Sequence, residues 1–268
     1  MFLRSNLRSA GLRDRGKPYE ATWAAAARDG EIVGLAALNW NGVLLLQAPH
    51  GLSALVPFLT RQGPRAVRGV VGPWDQLVVA VDVLGLAQEP AAMRSKEDLF
   101  SLSLADLKTP PALTSGRVVC QVAGREHVER LVEWGVAYDI AALGEKDSPE
   151  LWAGNRRAVE RFMSESSQFV ALAGGMPVAT STFNARLPDC VQIGGVWTPP
   201  PLRGRGYARA AVAGSLLVAR EAGVSQSILF TGTDNIAASK AYEAIGCRRI
   251  GDYGILLFRG SHDLRGRP

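Results

Sequence analysis

The residues best suited to chemistry lie in two stretches, Arg203-Gly204-Arg205-Gly206-Tyr207-Ala208-Arg209 and Asn235-Ile236-Ala237-Ala238-Ser239-Lys240-Ala241-Tyr242. In the first, glycines permit positive φ, so successive backbone N–H groups can turn toward one point, and a helix opening at Gly206 adds the positive end of its dipole. Such a nest suits a pyrophosphate, and Arg203, Arg205 and Arg209 add charge that suits a phosphorylated ligand. Two other phosphate loops fail on these residues. No Gly-Lys-Ser/Thr follows the turn, and a dinucleotide fingerprint needs a third glycine where Arg209 stands and an acid where Phe230 and Thr231 stand. In the second stretch, Asp234 or Asn235 caps a helix that Gly246 ends, and Asn235, Ser239 and Tyr242 recur at i, i+4 and i+7 on one face. A tyrosine with its ordinary pKa near ~10 is protonated at neutral pH and can donate to a leaving group of similar basicity.

These residues require a strand, an irregular turn and a helix in succession. The strand Cys190 to Thr198 must stop at Pro199-Pro200-Pro201, which cannot donate ladder hydrogen bonds. The helix Gly206 to Ala222 carries Ala208, Ala211, Val212, Ser215, Leu216 and Ala219 at the spacing of a buried stripe. Upstream, the patterns predict a strand at Arg117 to Ala123, helices at Arg125 to Leu143 and Pro149 to Met163, and strands at Gln168 to Ala173 and Val178 to Ala185, turning at Gly174-Gly175. Downstream they predict a strand at Ser225 to Phe230, a helix at Ile236 to Ile245, and two closing strands around Arg249 and at Ile255 to Arg259. The segment Ala105 to Gly116 has linker composition, which divides the chain into a lobe at 1–108, a linker at 109–116 and a domain at 117–268. In the first lobe, strands Ile32 to Trp40 and Gly42 to Gln47 flank the hairpin dipeptide Asn41-Gly42, helices follow at Leu52 to Arg61 and Pro73 to Leu84, and a strand at Asp98 to Leu104.

At this point the sequence resembles the acetyl-CoA signature of the GNAT superfamily of N-acetyltransferases. The motif Q/R-x-x-G-x-G/A is matched by Arg203, Gly206 and Ala208, after a strand ending Val196-Trp197-Thr198-Pro199-Pro200. A second motif of that family is similar to Asn235, Ala238, Ser239, Tyr242 and Gly246 at their present spacing. The resemblance spans about Arg117 to Arg259. It implies an α/β (α+β) fold of acyl-CoA N-acyltransferase type, with a mixed, mostly antiparallel central sheet flanked by helices, beside a second, smaller α/β lobe. It further implies that backbone groups of Val196 and Thr198 hold the pantetheine arm, with Trp197 between them, and that amides of Gly204, Arg205, Gly206, Tyr207, Ala208 and Arg209 hold the pyrophosphate. Asn235 and Ser239 would touch the coenzyme, and Tyr242 would be the general acid. The implied reaction is direct attack of an amine on the thioester of acetyl-CoA, with the N–H of Val196 or Trp197 stabilising the oxyanion if the strand bulges there. The strand carries no carboxylate, so no general base stands out; Gln192, Asp189 and Glu165 are positions for holding a water. The expected acceptor is a small-molecule amine or amino acid, with a protein amine as second choice. The competing class is a non-catalytic acyl-CoA-binding sensor or interaction module. The first lobe, with no counterpart to Arg203–Gly206 and only Gly69-Val70-Val71-Gly72-Pro73 as a poor substitute, resembles a degenerate tandem copy. It would shape the acceptor site, or else serve stability or a homodimer contact.

Composition narrows the field. A formal charge of +5 over 268 residues is shared between the two parts of the chain, about +2 before residue 110 and about +3 after it, with no basic stripe for nucleic acid. Cys120, Cys190 and Cys247 are scattered, as are His50, His127 and His262, which argues against disulfides and a metal site and for a cytoplasmic setting. The best apolar run, Leu77 to Ala87, is too short for a membrane span and holds Asp82. The arginine-rich start, Met1 to Arg15, reads as an exposed amphipathic helix.

Overall fold

The computed structural model describes residues 1–266. They form two compact units: residues 1–99, 231–234 and 250 onward, and residues 100–230 with 235–249. The second unit carries both stretches singled out above.

In this second unit the strands run in the order β10-β9-β8-β7-β6, comprising β6 (Val118–Val122), β7 (Gln168–Ala173), β8 (Met176–Arg186), β9 (Cys190–Trp197) and β10 (Gln226–Gly232). Beyond β10 lies the end of β5 (Ala91–Ser103), whose last residues, from Phe100, belong here. Neighbours from β6 to β9 are antiparallel, and β9 and β10 are parallel, as a strand-helix-strand crossover requires. The crossover is α7 (Tyr207–Glu221). Burial on α7 is wider than a single stripe: Ala210 to Leu216 and Ala219 are all buried, while Ala208 is half-buried. Small residues let the backbone come close to the sheet. A Cβ on Gly214 would lie 2.2 Å from Cys120 Cβ on β6, and Ser215 Oγ meets Ser181 Oγ of β8 at 3.3 Å. Helices α5 (Val128–Tyr138) and α6 (Pro149–Ser164) pack on Trp197 through a core of Leu131, Val132, Trp134 and Val159, whereas Val191 and Ile193 share a core with α7. The strand β9 therefore presents Trp197 to one pair of helices and its neighbours to the other. The single helix expected at 125–143 is in fact a 3-10 turn, α5, and a π-helical turn over Asp139–Leu143. The segment read as a linker holds a short helix, α4 (Pro111–Thr114).

The first unit begins with the expected amphipathic helix, α1 (Phe2–Ala10), whose Leu3 is buried against Ala21, Ala37 and Leu45. Its strands are β1 (Ala21–Arg28), β2 (Glu31–Asn39), β3 (Val43–Gln47), β4 (Val67–Pro73) and β11 (Arg248–His262), in the order β1-β2-β3-β4-β11. Helix α2 (Leu52–Gln62) links β3 to its parallel neighbour β4, and α3 (Trp74–Val83) follows. The sequence patterns give no strand at β1 and begin β5 only at Asp98, and the structure adds detail at β4 and β11. The stretch Gly69–Pro73 is strand β4, where a Cβ on Gly69 would lie 2.6 Å from Leu256 O and one on Gly72 2.8 Å from Leu46 Cβ. Both glycines are there for close strand approach, not for binding phosphate. The two closing strands are one, β11, pairing antiparallel with β4 from Tyr253↔Pro73 to Leu257↔Gly69. Past the last β3–β4 pair, Ala48 N donates to the buried Gln76 Oε1 of α3 at 2.7 Å, which closes the strand ends on each other.

Each unit is thus completed by a strand from the other part of the sequence. Residues 117–268 expressed alone lack Phe100–Ser103, the buried Leu104 whose N–H bonds Ser225 O at 2.8 Å, and the β4 partner of β11. This fragment should show no cooperative thermal unfolding by circular dichroism, whereas the full chain should. A sharp transition in the fragment would contradict the exchange of strands.

Candidate active site

The site is built where β9 and β10 part. Their ladder holds three pairs, Gln226↔Cys190, Ser227↔Val191 and Ile228↔Gln192. Past them, β9 continues to Trp197 with no further pair in the β10 ladder, so backbone groups on that edge of β9 are left for a ligand. On its other side β9 carries an irregularity. Pairing with β8 steps from Thr182↔Gly194 to Thr180↔Trp197, so Gly195 and Val196 together oppose Ser181. Gly195 has φ +54°, and a Cβ there would lie 2.7 Å from Thr182 Oγ1; its neighbour Gly194 would collide with the Asn184 side chain, and its carbonyl accepts from Thr182 Oγ1 at 2.7 Å. This is a bulge of the kind that leaves a residue outside the ladder, and the Gly-Gly pair inside a strand pattern is the signal for it.

After Trp197 the three prolines do stop the strand, turning through a short 3-10 segment at Pro200–Leu202. Gly204 and Gly206 follow at φ +76° and +77°, with Gly206 as the left-handed N-cap of α7 and no side chain capping it. The first helical amides, Tyr207 to Arg209, therefore lack intrahelical acceptors and point out of the helix end. A Cβ on Gly204 would meet nothing within 4 Å, so the nest is open, and one on Gly206 would lie 3.4 Å from Arg209 Nη2. Two buried polar atoms here have no partner, Thr198 Oγ1 and Arg209 Nε. Orphaned groups at the strand end and over the helix head are what a ligand with an amide arm and a phosphate would satisfy. The donor set fits such a molecule. Arg203 is exposed and turned back, its Nε donating to Thr198 O at 3.1 Å and its guanidinium lying 4.9 Å from the Trp197 ring centre. Arg205 is exposed.

Helix α8 (Ile236–Glu243) gives the second stretch. Asn235 is its N-cap, Oδ1 accepting from Ala238 N at 3.2 Å, and Ser239 Oγ donates to Asn235 O at 3.3 Å. Asn235 is exposed, Ser239 half-buried and Tyr242 only 8% exposed, so the shared face runs from solvent into the core. Tyr242 packs edge-on to Phe100 with ring centres 6.1 Å apart. Burial, with smaller contributions from Tyr138 and Cys247, raises its pKa well above the ordinary tyrosine value. It is a firmer holder of its proton than a free tyrosine.

Of the positions weighed for a water or base, Gln192 is buried, its Nε2 donating to Ile193 O at 2.8 Å and its Oε1 unpartnered. Glu165 is exposed and pairs with Arg161 at 3.6 Å. Asp189 precedes the start of β9, seven residues from Val196, roughly 20 Å along an extended strand. Neither carboxylate stands at the bulge. Sequence reasoning missed three residues. Tyr138, at the end of α5, stands edge-on to Trp197 with ring centres 6.1 Å apart, and it lies near enough to Tyr242 to raise that pKa. Asp139 follows, half-buried, and Asn155 of α6 donates to it at 2.7 Å. No sequence spacing marks these three, because their contacts join elements far apart in the chain. Burial raises the thiols of Cys120 and Cys247 to about 12, so neither is a nucleophile at neutral pH. Among the described residues no three His, Cys, Asp or Glu gather as metal ligands, and no helix is long and apolar enough to cross a membrane.

Comparison with known proteins agrees with this geometry. The sequence pattern of the Acetyltransferase (GNAT) family matches residues 124–247. The fold is similar to that of a GNAT-family acetyltransferase from Colwellia psychrerythraea, at 19% identity and TM-score 0.52, covering 89% of this chain and 86% of that one. It is likewise similar to a GCN5-related N-acetyltransferase from Kribbella flavida, at 16% identity and TM-score 0.57, covering 96% and 93%. A tandem GNAT protein of the clavulanic acid biosynthesis pathway shares the fold over 95% of this chain and 91% of its own, at 10% identity and TM-score 0.50. The chain matches none of the curated proteins. The strand bulge, the parting of β9 from β10 and the glycine nest at the head of α7 all fall within residues 124–247, and this part of the chain is an acyltransferase domain of the GNAT family.

Proposed function

We propose that the protein transfers an acetyl group from acetyl-CoA to the amine of a small molecule or amino acid, in the cytoplasm. The observation that carries the reading is the bulge at Gly195-Val196, beside the unpaired edge of β9 and directly before the nest at Gly204–Gly206. A coenzyme lying along that edge would have its amide arm against Val196, Trp197 and Thr198. Its pyrophosphate would meet the amides of Gly204 to Arg209, and Arg203 would leave the Thr198 carbonyl to let it in. Asn235 and Ser239 would line the coenzyme from α8. The amine nitrogen attacks the thioester carbon, charge develops on the carbonyl oxygen, and an N–H freed by the bulge donates to it, Val196 more directly than Trp197, which is back in the ladder. The C–S bond then breaks and Tyr242 donates its proton to sulfur. Its raised pKa keeps the hydroxyl protonated across the working range.

The first unit supports binding of a single coenzyme. The corresponding strand ends there are joined by the Ala48–Gln76 hydrogen bond, and Gly72 brings β4 hard against Leu46.

Calorimetric titration with acetyl-CoA should therefore give one site per chain, and Gly206→Glu should abolish it by placing bulk and negative charge in the nest. Two sites, or a Gly206→Glu protein that binds like the wild type, would refute this placement. Binding without CoA release from any amine would favour a coenzyme sensor. Tyr242→Phe should keep the coenzyme Kd and lower kcat by about 10²- to 10⁴-fold, and wild-type kcat should show no alkaline fall between about pH 8 and 10. A fall there, absent from Tyr242→Phe, would mean that the tyrosine titrates in spite of its burial.

A further inference from the structure

The acetyl-transfer reading leaves the proton on the incoming amine without a receiver, since β9 carries no carboxylate, Asp189 precedes the opposite end of β9, and Glu165 is exposed and paired with Arg161. Resting on that reading, we propose that Asp139 is this receiver: it takes a proton from the acceptor's ammonium group and so delivers the free amine to the thioester.

Four observations converge on it. Asp139 is the next residue after Tyr138, whose ring stands against Trp197 beside the bulge and which acts electrostatically on Tyr242, so this end of α5 adjoins both the proposed oxyanion donor and the proposed acid. Its carboxylate is held from one side only. Asn155 Nδ2 donates to Oδ2 at 2.7 Å and also to Leu151 O at 3.2 Å, while among the described residues no hydrogen bond is made to Oδ1. The clasp depends on Gly135, where a Cβ would lie 2.2 Å from Asn155 Oδ1; α5 has no side chain there, and α6 reaches across to fix the carboxylate. The backbone at Asp139 opens a π-helical turn through Leu143, closed by Gly144 at φ +71°, a rare geometry that recurs at functional sites.

The electrostatics agree. Burial raises the Asp139 pKa, the Asn155 hydrogen bond lowers it, and Glu145, the one charged group acting on it, raises it. Its shift is upward, the direction a proton acceptor needs, whereas Asp14, Glu20 and Glu129 are shifted downward by their arginine and backbone partners.

The step balances. The ammonium gives one proton to Asp139, which later releases it to solvent. The neutral nitrogen forms the N–C bond, the C–S electron pair goes to sulfur, Tyr242 protonates sulfur, and the second nitrogen proton restores Tyr242. The net products are the amide, free CoA and one proton.

The test uses full-length wild type and Asp139→Asn with acetyl-CoA and n-butylamine, following CoA release across pH. Near neutrality Asp139→Asn should lower kcat by about 10²-fold with the acetyl-CoA Kd unchanged. The deficit should shrink as pH rises and the amine loses its proton unaided. Because activity needs the carboxylate ionised, wild type should show an acid limb at the raised pKa that the variant lacks. A variant that binds acetyl-CoA normally and keeps both wild-type kcat and the acid limb would overturn the role of Asp139 while leaving acetyl transfer intact. Failure of the wild type to bind acetyl-CoA would overturn both. As a readout free of turnover, the carboxyl carbon resonance of Asp139, assigned by its loss in Asp139→Asn, should titrate at lower pH when n-butylamine is added to the CoA complex. An unmoved midpoint counts against the proposal.

Discussion

The site depends on one constraint, that β9 cannot satisfy both neighbours along its whole length. It is tied to β8 on one side and, for three residues only, to β10 on the other. The bulge at Gly195-Val196 adds a residue to one side of the β8 ladder and bends the strand, and beyond it the edge facing β10 has no partner. Backbone groups left unpaired in a protein interior are costly unless something meets them, so a strand built this way is stable in company with a ligand or with water. Position sets the rest. Trp197 faces the α5–α6 core, its ring bracketed by Arg203 and Tyr138, and Thr198, just past the strand, has a buried hydroxyl that nothing among the described residues satisfies.

The first unit shows the same local order of strands, three antiparallel and then one parallel across a helix, β1-β2-β3-β4 against β7-β8-β9-β10. Helix α2 even opens on a left-handed glycine, Gly51 at φ +74°, as α7 opens on Gly206. The difference is chemical. Where β9 ends in orphaned polar atoms, the end of β3 is sealed by Gln76, whose buried carboxamide takes the Ala48 N–H. One hydrogen bond to an internal side chain turns an available edge into a finished core.

Burial also sorts the polar side chains of the site into tasks. Asn235 and Ser239 spend their hydrogen bonds on the first turn of α8 and stay near solvent, which suits them to line a groove and not to move protons. Tyr242 is deep among Phe100, Ile245 and Cys247, where low polarity secures its proton. Asp139 sits between these extremes, desolvated enough for its pKa to rise and open enough to exchange a proton with solvent.

What the sequence determined by itself was local. Glycine positions, the proline stop, the cap at Asn235 and the spacing to Tyr242 depend on residues within a few places of each other, so the order of elements from β6 through α8 and the nest on α7 could be read from the chain. Long-range pairing could not. The alanine-rich β1 has no alternation to reveal it, and nothing local in Gly69–Pro73 shows that its glycines answer to Leu46 of β3 and Leu256 of β11. That β11 belongs with β4, about 180 residues earlier, is decided by packing that no local pattern encodes. The same holds for the site. The bulge was conditional in the sequence and is fixed by the β8 register, and the carboxylate at Asp139 becomes notable only when Gly135 lets Asn155 reach it from another helix. The turn conformation of Gly204 and Gly206 follows from residue type, whereas a pKa follows from surroundings, and those exist only once the chain has folded.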